Sequence, residues 1–184
     1  MQPRRFSSVW AIPHAGLTYP AAVCYPYRSK ITGSNSWMPS KPQRIEVVLE
    51  TRIESISLAE EAGVRVAAVA GFDEDDQYKI GLSVHEAVMN AYQYGNEQQF
   101  GKKIHVAFEI HCDKLVIFVA DQGTGFLLSD VPDPLEDENV LGDSGRGVLL
   151  MKAFMDEFDV TVGSAGGAEV VMVKHYKRAM PQAT

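Results

Sequence analysis

Two polar side chains near the middle of the chain have types and a spacing that suit acid–base and metal chemistry. Glu86 and Asn90 are four residues apart in a segment of helical periodicity, so they lie on one face of the helix. A glutamate can act as a general base, and the oxygen of an asparagine amide can ligate Mg²⁺. The alternative is an ordinary exposed polar pair on an amphipathic helix.

A second motif directly follows an apolar run that is predicted to be a buried strand. It reads Asp121-Gln122-Gly123-Thr124-Gly125-Phe126. Ligands of α/β folds commonly bind beyond the carboxyl ends of strands. Gly123 and Gly125 would let the backbone approach a flat ligand, and the Asp121 carboxylate can accept a hydrogen bond from an exocyclic amine such as that of adenine. The alternative is a simple strand-to-loop turn.

A third motif, Gly142-Asp143-Ser144-Gly145-Arg146-Gly147, comes directly before a predicted helix. Glycine-rich backbone at the start of a helix presents free N–H groups and the positive end of the helix dipole, which suits phosphate, and Arg146 would add charge. The alternative is a flexible helix start. Residues 121–144, which lie between the strand and this helix, are irregular, acidic and proline-containing, and they predict a functional loop or lid.

The rest of the sequence predicts the elements that position these motifs. Apolar residues at three- and four-residue spacing predict helices at 52–70, from Asp73 to about Tyr94, and at about 147–155. Alternating or continuous apolar runs predict strands at 45–49, 103–111, 115–120, 158–162 and 170–174. This order predicts an α+β fold: a two-layer α/β sandwich with helices on one face of a mostly antiparallel mixed sheet.

Composition and charge limit the classes of protein to which the chain can belong. Its 184 residues are 46% hydrophobic and 22% charged, as in globular domains. No apolar run approaches the roughly 20 residues that cross a bilayer, which argues against a membrane protein. The net charge of −7 argues against nucleic acid as a direct partner. Two cysteines are too few for a disulfide framework, so a reducing, cytoplasmic location is predicted.

The first 44 residues differ from the rest of the chain. They contain no Asp or Glu, six basic residues and six of the nine prolines. Because they show neither helical nor strand periodicity, they are predicted to form a disordered or loosely docked tail. A second interpretation places the start of translation at Met38. The domain proper is predicted to span residues 45–176, followed by a short C-terminal tail at 177–184.

Taken in order, the motifs resemble those of a known superfamily. The resemblance to the GHKL ATPases rests on His85-Glu86-Ala87-Val88-Met89-Asn90-Ala91, on Asp121-x-Gly-x-Gly-Phe126 and on Ser144-Gly145-Arg146-Gly147-Val148-Leu149-Leu150-Met151. Within the superfamily, the chain is most similar to the anti-sigma factor serine/threonine kinases of bacteria. Their lid is typically similar to Pro132-Asp133-Pro134-Leu135 with Glu138-Asn139-Val140-Leu141. The resemblance covers about residues 45–176.

This resemblance implies a Bergerat ATP-binding fold and assigns roles to the motif residues. Glu86 would be the catalytic base, and Asn90 would hold a Mg²⁺ ion that bridges the ATP phosphates. Asp121 would bind the adenine amine. Gly123 and Gly125 would shape the adenine pocket and hinge the lid.

The resemblance also extends to the glycine-rich start of the third helix. Gly145, Arg146 and Gly147 would border the phosphates. The chain departs from the family at two positions. Tyr94 precedes Gly95 where the family often has histidine, and Ala168 stands where it often has threonine. The second departure removes a hydroxyl near the adenine-binding aspartate and would weaken nucleotide binding.

The resemblance further implies an ATP-dependent protein serine kinase that binds a sigma factor. The γ-phosphate of ATP would pass to a seryl or threonyl hydroxyl of an anti-sigma antagonist protein. A homodimer is implied, with partner exchange controlled by ADP against ATP. Two alternatives remain open. One is a nucleotide-sensing binding module without kinase activity. The other is the detached catalytic domain of a histidine-kinase relay, which the lack of a phospho-acceptor helix before residue 45 disfavours.

Overall fold

A five-stranded sheet covered on one face by three α-helices makes up most of the described chain. The structure is a computed structural model, and it describes residues 27–28, 35–36, 42–125, 146–163 and 166–177. The strands are β1 (Tyr27–Arg28), β2 (Asn35–Ser36), β3 (Gln43–Glu50), β4 (Lys103–Ile110), β5 (Lys114–Ala120), β6 (Glu157–Val162) and β7 (Ala168–His175). The α-helices are α1 (Glu54–Ala70), α2 (Glu74–Asn90) and α3 (Arg146–Phe154).

The strands of the main sheet lie in the order β3-β4-β5-β7-β6, and all four pairings are antiparallel. The predicted α+β sandwich with helices on one face is therefore confirmed. The main sheet is antiparallel throughout, whereas the sequence predicted a mostly antiparallel mixed sheet. The strands β5 and β6 run in the same direction but are not neighbours. The reason is that the chain crosses through α3 to β6 and then returns as β7 between the two.

The predicted amphipathic pattern of α2 places one face in the core. Four of its apolar positions and the next residue along the chain are at most 5% exposed: Ile80, Val84, Ala87, Val88 and Ala91. They pack against α1 and against the inward side chains of the sheet, such as Phe108 and Ile117. Asp73 caps the start of α2, since its Oδ1 accepts a hydrogen bond of 2.9 Å from the N–H of Asp76. The core thus fixes which face of α2 points away from the sheet.

The last turn of this helix differs from the prediction of a regular helix to about Tyr94. Residues Ala91–Gly95 form a π-helical turn, closed by a hydrogen bond of 2.7 Å from the N–H of Asn96 to the carbonyl of Ala91. A π-turn is wider than an α-turn and is often found at functional sites. Here it turns the backbone at Gly95 toward the end of β5.

Two further features concern segments outside the main sheet. Tyr27–Arg28 and Asn35–Ser36 form a short antiparallel ladder that the sequence pattern does not predict, because two-residue strands are too short to show periodicity. Most of the predicted lid, with Phe126 and Gly145, lies outside the described residues. No described helix is both long and apolar enough to cross a membrane.

Candidate active site

The side chains of the first motif meet the start of α3. A Cβ atom added to Gly147 would lie 2.5 Å from Oε2 of Glu86 and 3.6 Å from Nδ2 of Asn90. Glu86 and Asn90 are half-buried on the face of α2 that does not enter the core. The structure therefore brings together Glu86, Asn90 and the glycine-rich helix start, as the sequence predicts. The N–H groups in the first turn of α3 have no partner within that helix, so this end of it suits an anion.

The neighbouring His85 has a structural contact instead. Its Nδ1 lies 2.8 Å from Oε2 of Glu60 on α1. This contact joins α1 to α2 and points away from Glu86. The separation of about 100° between adjacent residues on a helix explains why two consecutive polar side chains serve different surfaces.

Asp121 lies at the end of β5 and is held by two backbone N–H groups. Its Oδ1 accepts hydrogen bonds from Gly123 N at 2.8 Å and from Ala168 N at 3.1 Å. Its own N–H donates to the carbonyl of Ala168 at 3.1 Å. Among the described residues, Oδ2 accepts no hydrogen bond. The carboxylate therefore has one oxygen fixed by the backbone and one left for a donor from outside the chain.

Three glycines surround this carboxylate so closely that no larger residue would fit. A Cβ atom at Gly95 would collide with the Asp121 carboxylate, and one at Gly167 would collide with the Asp121 backbone. A Cβ at Gly123 would collide with the carbonyl of Gly95. The π-turn, the end of β5 and the start of β7 thus meet at a point built for close backbone approach.

Burial changes the ionisation of Asp121. The residue is only 7% exposed, and this burial raises the pKa of its carboxyl above the ordinary value. The N–H groups of Gly123 and Ala168, and the charge of Lys102, act in the opposite direction and limit the shift. The group is thus a buried acceptor with a raised pKa at the end of a strand, which is a common property of functional sites.

A buried amide behind Asp121 joins four segments of the chain. Asn96 is completely buried. Its Nδ2 donates to Thr51 Oγ1 at 2.8 Å and to the carbonyl of Lys103 at 3.0 Å, and its Oδ1 accepts from Gln122 N at 2.8 Å. Gln122 in turn accepts, through Oε1, a hydrogen bond of 2.7 Å from Lys103 N. This network fixes the turn that carries Asp121 and Gly123.

Sequence reasoning identified the site's carboxylates and several glycines but missed the supporting residues. It interpreted Gly95-Asn96, which follow the predicted end of the second helix at about Tyr94, as a helix stop, and it placed Gly167 in a hairpin turn with no role in the site. A glycine followed by asparagine after a helix is typical of a helix stop, so no local signal distinguished this case. Gly125 has a positive φ of 75°, and the carbonyl of Gly166 is nearby. Arg146 is the first residue of α3 and is exposed.

The two clusters lie on the same end of α2. Asn90 and Gly95 are five residues apart, which corresponds to about 7 Å along a helix. A ligand with a flat amine-bearing group at Asp121 and an anionic group at Glu86, Asn90 and Gly147 would therefore contact both. The chemistry of the donor set fits a purine nucleotide with Mg²⁺: a free carboxylate oxygen, close-packed glycine backbone, an amide and a helix start.

Comparisons with known proteins agree with this geometry. The profile of the family described as "Histidine kinase-like ATPase domain" matches residues 49–174. The serine-protein kinase RsbW of Staphylococcus epidermidis is 33% identical over 151 residues, covering 77% of this chain and 92% of that protein. RsbW of Bacillus mycoides is 28% identical over 150 residues, covering 77% and 90%.

Among solved structures, the chain is similar to a crystal structure of the RsbU and RsbW domains of a Mycobacterium tuberculosis protein. The TM-score is 0.51 at 18% sequence identity, with 72% of this chain covered. This chain spans about a third of that larger protein, since 31% of it is covered. This likeness concerns the fold. The family profile and the RsbW relatives confirm the resemblance derived from the motifs: the chain belongs to the histidine kinase-like (GHKL) ATPase family and, within it, to the serine-protein kinases related to RsbW.

Proposed function

We propose that this kinase transfers the γ-phosphate of ATP to a seryl or threonyl hydroxyl of an anti-sigma factor antagonist protein, and that it also binds a sigma factor. The observation that carries the proposal is the meeting of Glu86 and Asn90 with the start of α3 at Gly147. A base, a metal ligand and an anion-binding backbone then lie on one side of the site, while Asp121 lies on the other. Phosphoryl transfer depends mainly on such positioning and on neutralisation of charge.

Glu86 is assigned the role of general base. Its carboxylate is half-buried and lies beside the N-terminal turn of α3. In this role it accepts the proton of the attacking hydroxyl as the new oxygen–phosphorus bond forms. The bond between the γ-phosphorus and the oxygen that bridges it to the β-phosphate breaks in the same step, and ADP leaves. A positioned base of this kind contributes about 10²–10⁴-fold to the rate.

Asn90 and the start of α3 are assigned the role of binding the ATP phosphates and their Mg²⁺ ion. The side-chain oxygen of Asn90 would ligate Mg²⁺, and the N–H groups at Arg146 and Gly147, with Gly145, would border the phosphate oxygens. When bound, Mg²⁺ supplies neutralisation of the phosphate charge. The half-burial of Asn90 next to Gly147 supports this assignment, because the amide stays accessible to a ligand on that side.

Asp121 is assigned to the adenine. Its fixed Oδ1 orients the carboxylate, and Oδ2 is available to accept a hydrogen bond from the exocyclic amine. Guanine carries a carbonyl at the corresponding position, which would face this oxygen and repel it. Gly123 and Gly125 are assigned to shape the adenine pocket, since both allow close backbone approach: a Cβ at Gly123 would collide with the carbonyl of Gly95, and one at Gly125 would lie 3.0 Å from the carbonyl of Gly166. The site therefore favours adenine over guanine.

The partners follow from the family rather than from a surface of the molecule. We include in the proposal that the kinase acts in the cytoplasm as a homodimer. We further propose that ADP and ATP select between the antagonist and the sigma factor.

The decisive experiment combines nucleotide binding with phosphate transfer. Wild-type protein, Mg²⁺, labelled ATP and the candidate antagonist encoded nearby should give phosphoserine or phosphothreonine on the antagonist. Glu86→Gln keeps the shape of the side chain but cannot take the proton, so transfer should fall about 10²–10⁴-fold while ATP affinity changes by only a few-fold. Asn90→Ala should weaken both binding and transfer, because it removes a ligand of the metal.

Three results would contradict the assignment. Equal transfer by Glu86→Gln and wild type would remove Glu86 from the role of base. Tight ATP binding with no transfer to any nearby antagonist would favour the binding module. Transfer of phosphate to a histidine instead would favour the relay domain.

A further inference from the structure

The last residue of β7 that faces the helices is a lysine. Val170 and Met172, on the same face, belong to the hydrophobic core and are 6% and 0% exposed. Lys174, the next residue on this face, lies opposite Leu115 of β5 and is only 9% exposed. Burial of an ammonium group is unfavourable unless its charge is compensated. The contacts that compensate it therefore indicate what this residue does in the fold.

The ammonium group of Lys174 joins three parts of the structure. Its Nζ donates a hydrogen bond of 2.7 Å to the carbonyl of Phe154, the last residue of α3. It also lies 3.3 Å from Oδ1 of Asp156, just before β6, and 3.8 Å from Oδ1 of Asp76, in the first turn of α2. One side chain of the sheet thus holds the end of α3 beside the start of α2.

The hydrogen bond to Phe154 is of a kind that fixes the end of a helix. The last carbonyls of an α-helix have no partner within the helix, and a cation near them also interacts favourably with the helix dipole. The turn that follows α3 is anchored on β7 as well. The N–H of Asp156 donates to the carbonyl of Val173 at 2.9 Å, and its Oδ2 accepts from the N–H of His175 at 2.7 Å. The end of α3 is therefore fixed to the sheet.

A displacement of this helix end would change the candidate active site at the other end. The helix α3 has nine residues, and Gly147 precedes Phe154 by seven residues, which corresponds to about 10 Å along a helix. A helix of two or three turns moves as one body. At its start the fit is close, because a Cβ atom at Gly147 would lie 2.5 Å from Oε2 of Glu86. Small movements of α3 therefore change the distance between its start and the Glu86 carboxylate.

A second lysine binds Asp76 from another direction. Nζ of Lys177 lies 3.0 Å from Oδ2 of Asp76 and 3.0 Å from Oδ2 of Asp73, and both carboxylates belong to the start of α2. Lys174 and Lys177 thus share a buried carboxylate, but of the two only Lys174 donates to α3 within the described part of the chain. This difference separates stability, to which both lysines contribute through Asp76, from the position of α3.

We propose that Lys174 is a positioning residue of the phosphate side of the site: it holds the end of α3 against the start of α2, and so keeps Gly147 beside Glu86. The inference rests on the proposed function, because that proposal assigns the start of α3 to the ATP phosphates. It adds to that function a buried residue at the end of α3 that lies away from the phosphates.

The adenine side provides an internal reference for a test, because Asp121 is fixed by the N–H groups of Gly123 and Ala168. Lys174→Met keeps a long apolar side chain but removes the ammonium group. Calorimetry with Mg²⁺ and ATP should show an affinity several-fold weaker than that of wild type, whereas the affinity for adenosine should be unchanged. Phosphate transfer should fall about 10- to 100-fold, since a misplacement of about 1 Å can cost about 10²-fold.

Lys177→Met is the matched control, since it removes a cation from the same carboxylate. It should lower stability in urea, while its ratio of ATP affinity to adenosine affinity and its rate of transfer should equal those of wild type. Lys174→Met in an Asp76→Asn background covers the case in which the single variant fails to fold, because the buried charge that needs compensation is then absent. This double variant should regain stability but keep the weakened ATP affinity.

Two results would overturn the proposal. One is a ratio of ATP to adenosine affinity in the double variant that equals the ratio in Asp76→Asn alone. The other is an equal fall of this ratio in Lys174→Met and Lys177→Met. Either would show that Lys174 contributes only stability. A wild-type protein that binds ATP but transfers phosphate to no antagonist would instead refute the proposed kinase function, and the comparison of ATP with adenosine would still decide the role of Lys174.

Discussion

The backbone of Gly147 lies directly against the carboxylate of Glu86: a Cβ atom at residue 147 would come within 2.5 Å of Glu86 Oε2. This contact joins the start of α3, which follows the predicted lid, to the residue assigned as base. Because the nearest atom is the end of a flexible side chain, a larger residue would displace the carboxylate rather than the backbone. The glycine is therefore required for the position of Glu86.

Gly147→Ala should separate activity from stability. The added methyl group moves the Glu86 carboxylate, so phosphate transfer should fall at least about tenfold, part of the 10²–10⁴-fold contribution of a positioned base. The free energy of unfolding should change by less than about 1 kcal/mol, since alanine favours the helix more than glycine does. Transfer kinetics and urea denaturation measure the two quantities. Gly101→Ala is the control, because a Cβ there has no neighbour within 4 Å.

Asp121 should make stability and nucleotide binding respond to pH in opposite directions. Burial raises the pKa of its carboxyl in the folded protein. A raised folded-state pKa gives a contribution to stability that is complete at low pH and is lost as pH rises through that pKa. The free energy of unfolding of wild type, minus that of Asp121→Asn, should therefore decrease as pH rises from about 4 to 7.5.

Adenine binding should show the reverse dependence on pH. The ionised carboxylate is the acceptor for the exocyclic amine, so wild-type affinity for ATP should fall as the pH is lowered toward the raised pKa. Asp121→Asn should bind ATP weakly at every pH and discriminate less against GTP, because its amide can also donate. Calorimetry with both nucleotides above pH 5 measures this. A flat pH profile of wild-type affinity would argue against contact between Asp121 and adenine.

Asn96 provides a test of how the site is held from behind. In Asn96→Asp, an acceptor would replace the donor that faces Thr51 Oγ1 and the carbonyl of Lys103. Loss of buried hydrogen bonds of this kind costs about 1–3 kcal/mol. ATP affinity should fall by several-fold as well, because the Gln122 N–H held by Asn96 belongs to the turn that carries Asp121.

The matched control for Asn96 is Gln99→Glu, the same change of amide to acid at an exposed residue. The side chain of Gln99 makes an exposed hydrogen bond with Glu97, and the change leaves the backbone hydrogen bonds of Gln99 in place, so both stability and affinity should stay near the wild-type values. Urea denaturation and calorimetry are again the measurements. If Asn96→Asp lost stability but kept full ATP affinity, the network would support the fold and not the adenine site.

Asn96 also shows why the sequence predicts some parts of the site and not others. Periodicity predicted which face of α2 is buried, because apolar residues that repeat at helical spacing lie together on the face that packs in the core. It also placed Asp121 at the end of a strand. The partners of Asn96 lie up to 45 residues away in the chain, and contacts of that range leave no local pattern. The π-turn is equally invisible, since Ala91–Gly95 has an ordinary helical composition.

The last prediction concerns the end of α2 opposite the site. Lys177 Nζ lies 3.0 Å from Oδ2 of both Asp73 and Asp76. The Asp76 side chain is only 3% exposed, its Oδ1 accepts no hydrogen bond, and its other cation, Lys174, lies 3.8 Å away. Lys177→Met would leave a buried carboxylate poorly compensated, which should lower the free energy of unfolding by about 1–3 kcal/mol. Urea denaturation measures the loss.

Two comparisons decide whether the uncompensated charge of Asp76 causes the loss of stability in Lys177→Met. Lys79→Met breaks an exposed pair with Asp75 at four-residue spacing, and such pairs contribute only about 0.3–0.5 kcal/mol. In an Asp76→Asn background, Lys177→Met should have little effect, because the charge that needs compensation is gone. A loss of the same size in both backgrounds would show that Lys177 acts through Asp73 and the helix cap instead.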